Sequence, residues 1–313
     1  MKFKTLLVCF FVTSSLIAQQ KMVAITIDDL PFVRMGSMTN SMLGVRTINL
    51  LNALQKQHAP ATGFAVMSSV YTGQKVDSAR YALLKIWLLN SIDLGNHTFS
   101  HPDYNQVTYS QFIDDIEKNE PLLENLMKEH NKKLVFFRHP YLHRGNSQAK
   151  ADSLADYLRK RNYIEAPVTI DNAEWIFAAA YDSVLKTNDD NLRKNIGSEY
   201  IRYMELKLRY YEGQSEKLFG RNIRQILLIH ANSLNSDFMG ELLTMFIQNG
   251  YTFVDLETAL QDEAYKTEDR FYKNGGISWL DRWAITQGKN KEFFAGEPVC
   301  PSTIMKLAKV DSE

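Results

Sequence analysis

The sequence predicts an α/β fold: a distorted or partly open (β/α) barrel carrying a helical insertion and a C-terminal extension. Two patterns predict it. Short apolar runs alternate with segments of helical period, as parallel strands with outer helices require. Most of those apolar runs also end in polar residues, and a parallel barrel gathers strand ends at one mouth. The pair Asp28–Asp29, which ends the first run at MVAITIDDLP, is the sharpest case. Adjacent carboxylates are costly unless a cation, a metal or a proton offsets them. Successive strand side chains point to opposite sides, so a shared site needs a turning backbone or a reach across the mouth. The same residues also fit a strand-end turn whose Asp side chains accept from backbone N–H groups.

The chain has 313 residues, 45% of them hydrophobic, with zero formal net charge. That length suffices for a full core. Residues 1–18 read as a signal peptide: Lys2 and Lys4, an apolar Leu6–Val12 and a small-residue exit at Ala18. The expected location is therefore periplasmic or extracellular. Without Lys2 and Lys4, 34 basic face 36 acidic side chains. That balance gives no bulk attraction for nucleic acid or anionic lipid. No later stretch is long and apolar enough for a membrane span. Cys9 leaves with the leader, and Cys300 is expected to be a passive residue of the tail.

After a loop at 32–40, Leu43, Ile48, Leu51 and Leu54 form the stripe of a helix over 41–57. ATGFAVM at 61–67 is the next strand, and 76–89 a second helix through Ala79, Leu83, Ile86 and Trp87. SIDLGNHTFSH is a short strand that breaks near Gly95. Ser110 is placed as a helix cap, with Pro121 starting a second section. LVFFRHPY at 134–141 is a strand, 148–161 a helix, and 163–170 extended. Residues 181–224 break the rhythm, with a loop at 187–191 and an amphipathic helix from Ile196 through Tyr200, Met204, Leu208 and Tyr211. This insertion is read as packing on the barrel flank, and a substrate-shaping lid is the alternative. A strand at 225–231, a helix at 238–248, a strand at 251–254 and a helix from Asp255 to Ala264 complete the catalytic domain, 19–264. Residues 265–313 place Trp279, Trp283, Phe293 and Phe294 among charges, which predicts an ordered extension.

His97 and His101 stand four apart, a spacing that puts two imidazoles on one side of a helical turn, ready for a metal. With one carboxylate they make a site of two nitrogens and an oxygen; two plain loop histidines are the alternative. His230 closes an apolar run, where it is either a core histidine or a general acid. Arg138 ends another strand and can keep an Asp ionised. His58, His130, His139 and His143 are expected in surface or structural roles.

Five short motifs in this order resemble the polysaccharide deacetylase family, the NodB-type carbohydrate esterases, over residues 22–264. They are TIDDL at Thr26–Leu30, HTFSH at His97–His101, RHPY at Arg138–Tyr141, DNAEW at Asp171–Trp175 and LIH at Leu228–His230. The resemblance implies Asp28 as catalytic base, with Arg138 pairing to it, and Asp29, His97 and His101 as metal ligands. It implies His230 as general acid tuned by Glu174, and the Tyr141 backbone N–H at the oxyanion. Trp175 and Leu228 would wall the acetyl pocket. The expected cofactor is a divalent ion, Zn2+ first. The expected partner is an acetylated oligosaccharide or polysaccharide. The expected reaction is hydrolysis of N-acetyl groups on an N-acetylglucosamine-containing glycan, with an O-acetyl polysaccharide esterase or an inactive carbohydrate-binding protein as alternatives. Leu30 and Leu142 replace the family's usual glycines, and both are expected to alter the pocket rim or the nearby backbone. Glu174 stands for an Asp and is expected to reposition the contact with His230.

Overall fold

The structure, a computed structural model, describes residues 20–187 and 189–313. The expected signal peptide, 1–18, lies outside the described residues. In chain order the elements are β1 (Lys21–Leu30), α1 (Asn40–Lys56), β2 (Ala61–Ala65), a small antiparallel hairpin β3–β4 (Tyr71–Thr72 and Lys75–Val76) and α2 (Ser78–Leu89). Next come β5 (Asp93–Asn96), α3 (Tyr109–Glu129), β6 (Phe136–Phe137), α4 (Gln148–Lys160), β7 (Ile164–Glu165), α5 (Glu174–Val184) and α6 (Asp190–Phe219). Then follow β8 (Gln225–His230), α7 (Ser233–Gln248), β9 (Tyr251–Val254), α8 (Leu256–Leu260), α9 (Trp279–Thr286) and α10 (Ser302–Ala308).

The main sheet has seven strands in the order β7-β6-β5-β2-β1-β8, with β9 paired to β1. Every pairing in it is parallel. β1 is the hub. Val23 and Ala24 pair at once with β8 and β9, while Ile25–Leu30 pair with β2. Buried on both faces, β1 can be almost wholly apolar until Asp28. Among the described residues β7 and β8 do not pair, and β8 meets the segment after β7 at the isolated bridge Ile170–Leu227, so the sheet is a curled, open half-barrel.

Helix faces differ from the sequence expectation in detail. In α1 the buried stripe is Leu43, Thr47, Leu50, Leu51 and Leu54, while Ile48 is exposed. α3 is one helix with Pro121 inside it, and Thr108, not Ser110, caps it through a reciprocal bond with Gln111. α6 begins at Asp190, six residues before Ile196, with Asp189 accepting from the Leu192 N–H. Its Tyr200, Tyr203, Met204, Leu208 and Tyr211 are buried in the main core. α5 had no counterpart in the sequence reading. It is buried around most of its circumference, so the polar stripe that marks an amphipathic helix is missing.

The extension is ordered on the domain. Trp279, Trp283 and Phe293 are buried, and α10 packs against α5. Each such aromatic removed from water contributes on the order of 2–3 kcal/mol. Cys300 is buried and has no disulfide partner among the described residues.

Candidate metal centre and acid–base site

The two carboxylates reach one site because β1 is irregular at its end. The register with β2 shifts between Ile27 and Leu30, and Asp29 takes a left-handed backbone with φ of 59°. This bulge breaks the strand alternation that would have sent Asp28 and Asp29 to opposite faces. Asp28 pairs in register with His230 on β8.

The two motif histidines arrive differently from the expected helical turn. Residues 97–101 form a loop in which Thr98 and His101 both have positive φ, 64° and 58°. Buried amides fix that loop. Asn96 Oδ1 accepts from Thr98 N–H at 2.8 Å and from Asn119 Nδ2 at 2.8 Å. Beyond it, Asp115 accepts from Ser100 N–H at 2.8 Å and Oγ at 2.7 Å.

Asp29 Oδ1 lies 3.6 Å from His97 Nε2 and 3.6 Å from His101 Nε2. These gaps are too long for hydrogen bonds. They suit neighbouring ligands of one ion, which stand about 3.4 Å apart when each bond is about 2.05 Å in a tetrahedron. Asp29 Oδ1 is buried and accepts no hydrogen bond from the described residues, as an atom reserved for an ion would be. His97 Nδ1 meets the Arg138 carbonyl at 2.8 Å, so Nδ1–H donates there and Nε2 faces the group with its lone pair. Burial, then the neighbouring His101, holds the His97 imidazole well below its ordinary pKa, against the pull of Asp29. Neutral imidazole is the ligating form. Asp29, His97 and His101 thus form a divalent-metal-binding group.

Asp28 is 2% exposed and lies behind this group, its Oδ2 3.8 Å from His97 Nε2. Burial raises its pKa, while Arg138, His230 and His101 pull it down. The expected pairing with Arg138 is a charge contact at 3.9 Å. The guanidinium's hydrogen bond goes instead to Thr26 Oγ1 at 2.7 Å, and its plane lies 4.8 Å over the Phe64 ring.

His230 Nδ1 meets Glu174 Oε2 at 2.8 Å. Glu174 is fully buried at the start of α5, and its other oxygen accepts from the side-chain amides of Asn232 and, at 2.7 Å, Asn235. Burial opposes the charged imidazole. The hydrogen bond and charge of Glu174, followed by Asp29 and Asp28, outweigh it and raise His230 to about 9. The extra methylene of Glu174 therefore keeps the histidine contact.

Asp28, Asp29, His97, His101 and His230 line one cavity of about 880 Å³ with Tyr141, Leu142, Trp175 and Leu228. Tyr141 and Leu142 both take φ of 56°, and Tyr141 stacks edge-on against His101 with ring centres 4.6 Å apart. Leu142 lines the cavity as expected. Leu30 does not, because its side chain is buried over Gly63, whose missing Cβ leaves it room. His139 and His143 also line the cavity, held by Glu165 at 2.8 Å and Asp103 at 2.7 Å. His58 sits in a turn with φ of 50°, and His130 ends α3.

Sequence reasoning missed Asn232 and Asn235, which hold Glu174. Their signal was two amides within five residues of His230. It also missed Asn172, which donates to the Leu228 carbonyl at 2.8 Å. Lys207, Glu297 and Glu313, also in the lining, carried no local signal.

Residues 16–159 match the family model described as polysaccharide deacetylase. That span includes the first three motifs and stops before Glu174 and His230. No curated protein matches the chain. Solved structures show the same fold. A polysaccharide deacetylase from Bacillus cereus is 15% identical with a TM-score of 0.53, covering 82% of this chain and 100% of its own. A CE4-family pseudoenzyme from Bacillus anthracis is 16% identical with a TM-score of 0.50, covering 78% of this chain and 66% of its own. A mutant CE4-family pseudoenzyme described as having restored enzymatic activity is 17% identical with a TM-score of 0.50, covering 78% and 68%. The family model spans somewhat less than half of the chain, and the solved structures extend the likeness in fold to about four-fifths of it.

Proposed function

We propose that this polysaccharide-deacetylase-like chain is an exported, metal-dependent hydrolase that removes N-acetyl groups from an N-acetylglucosamine-containing glycan. One observation carries the reading. A three-ligand metal group, a buried carboxylate beside it and an imidazole backed by its own carboxylate share one cavity.

Asp29, His97 and His101 would hold the ion, and two nitrogens with one carboxylate oxygen suit zinc. Such an ion, when bound, supplies Lewis acidity toward a carbonyl and lowers the pKa of water. Asp28 is the base that takes the proton of the attacking water. Its burial makes it a stronger base than a free carboxylate, and the charge of Arg138 keeps it ionised. The Tyr141 backbone N–H would stabilise the developing oxyanion. His230, kept protonated by Glu174, delivers a proton to the departing nitrogen. An amine leaves poorly without that proton, whereas the alkoxide of a sugar ester needs it less. A histidine held in its acid form therefore favours the amide reaction. Trp175 and Leu228 supply apolar surface for the acetyl methyl.

The test is acetate release by the zinc-loaded chain from paired amide and ester substrates: N-acetylglucosamine oligomers, peptidoglycan fragments and acetylated xylan. Release from the N-acetylated glycans is expected. Release from xylan alone would move the protein to the esterases.

A further inference from the structure

The extension supplies two separate stretches of the cavity lining, Gly275–Ile277 and Glu297–Val299, together with Glu313. The first lies directly against the RHPY loop. Gly276 leaves no space for a Cβ beside the Tyr141 carbonyl oxygen, and Arg282 donates to the Leu142 carbonyl at 3.4 Å. The second is tied to α6. Lys207, 3% exposed, places Nζ 2.6 Å from Glu297 Oε1 and 3.7 Å from Glu313 Oε1. Tyr211 OH donates to Glu297 at 3.1 Å and Tyr203 OH to Glu313 at 3.1 Å, while Cys300 N–H donates to Glu313 Oε2 at 2.7 Å.

The wall so held has two properties. Val299 is 73% exposed on a cavity whose other exposed apolar side chains are Tyr141 and Trp175, at 54% and 45%. Such surfaces suit the C–H faces of sugar rings. One ammonium also faces two carboxylates there, with Asp171 as a third in the same lining. Burial first, then Glu297 and Glu313, push Asp171 up to about 7, against Lys207 and the Asn172 N–H.

We infer that Glu297–Val299, pinned by Lys207, is the specificity wall of this cavity, contacting the sugar and favouring neutral or amine-bearing acetylated glycans over anionic ones. The inference rests on the deacetylase reading and adds its substrate class. Lys207 is a positioning residue that acts through Glu297.

The experiment measures acetate release from an N-acetylglucosamine tetramer and from an N-acetylated tetramer containing uronic acid. Wild type, Val299→Asp, Val299→Lys and Lys207→Met are compared, with metal content and far-ultraviolet circular dichroism for each. Val299→Asp is expected to raise KM for the neutral tetramer at least about fivefold with kcat within about twofold, as loss of uniform binding requires. Val299→Lys is expected to lower KM for the uronate tetramer about threefold, an effect that salt weakens. Lys207→Met is expected to show the same split as Val299→Asp. Unchanged KM values in both Val299 variants would overturn the wall while leaving the deacetylase reading intact. No acetate from wild type would defeat that reading instead, and calorimetric binding of the two tetramers would then decide the wall. Binding weakened by Val299→Asp would uphold it, and no binding, or binding unchanged by the variants, would overturn it.

Discussion

Replacing Glu174 by Gln tests the acid half of the site through its pH dependence. The carboxylate accepts from His230 Nδ1–H at 2.8 Å and is the main force raising that imidazole to about 9 against burial. Without its charge, burial is opposed only by Asp29 and Asp28, and the imidazole falls to its ordinary value of about 6.5 or below it. The acid form then falls from about nine-tenths of molecules to about 3% or less near pH 8, a loss of at least roughly thirtyfold. Near pH 6 the loss is at least about tenfold smaller, because more of the variant imidazole is protonated there. The assay is kcat for acetate release across that range, with metal content measured on each sample. A loss of at least about thirtyfold near pH 8 that is at least about tenfold smaller near pH 6 is expected. An equal loss at both values would refute the account of Glu174 as the group that keeps His230 charged.

Asp29→Ala is expected to lose the metal, read as zinc stoichiometry after dialysis, and retention would refute the ligand set. Asp28→Asn should keep the metal while kcat falls by about 10²–10⁴; undiminished turnover would remove Asp28 as base. In stability, the raised pKa of His230 favours folding most below its unfolded value near 6.5. That contribution is lost as pH rises through about 9, so the midpoint of thermal unfolding should fall over that window, and less so in Glu174→Gln. Trp87→Ala removes a fully buried side chain and should cost about 3–5 kcal/mol in denaturant unfolding. A cost below about 1 kcal/mol would contradict the packing described.

The sheet and the metal group were legible because their information is local. Apolar runs such as ILLI before His230 can only be buried strands or short buried helix segments, and HTFSH carries both imidazoles within five residues. Backbone conformation was not legible. The bulge that brings Asp28 and Asp29 together depends on how β2 pairs past Ile27, and the positive φ of Thr98 and His101 depends on Asn96 and Asn119. In α1, hydrophobicity favoured Ile48 over Thr47, but geometry buries Thr47 because it falls on the stripe through Leu43, Leu50 and Leu54. Lys207 lay hidden for another reason. Its partners Glu297 and Glu313 are about ninety residues or more away in sequence, and no spacing rule connects them.

The central claim is that one ion held by Asp29, His97 and His101 works with Asp28 and His230 to release acetate from an N-acetylated glycan. Its most direct test is a titration of chelator-stripped protein with zinc, following bound metal and acetate release from an N-acetylglucosamine tetramer in the same samples. No release is expected without metal, and activity is expected to rise in proportion to the first equivalent bound and then stop. Full release from the stripped protein would contradict the claim, as would one bound equivalent that yields no acetate.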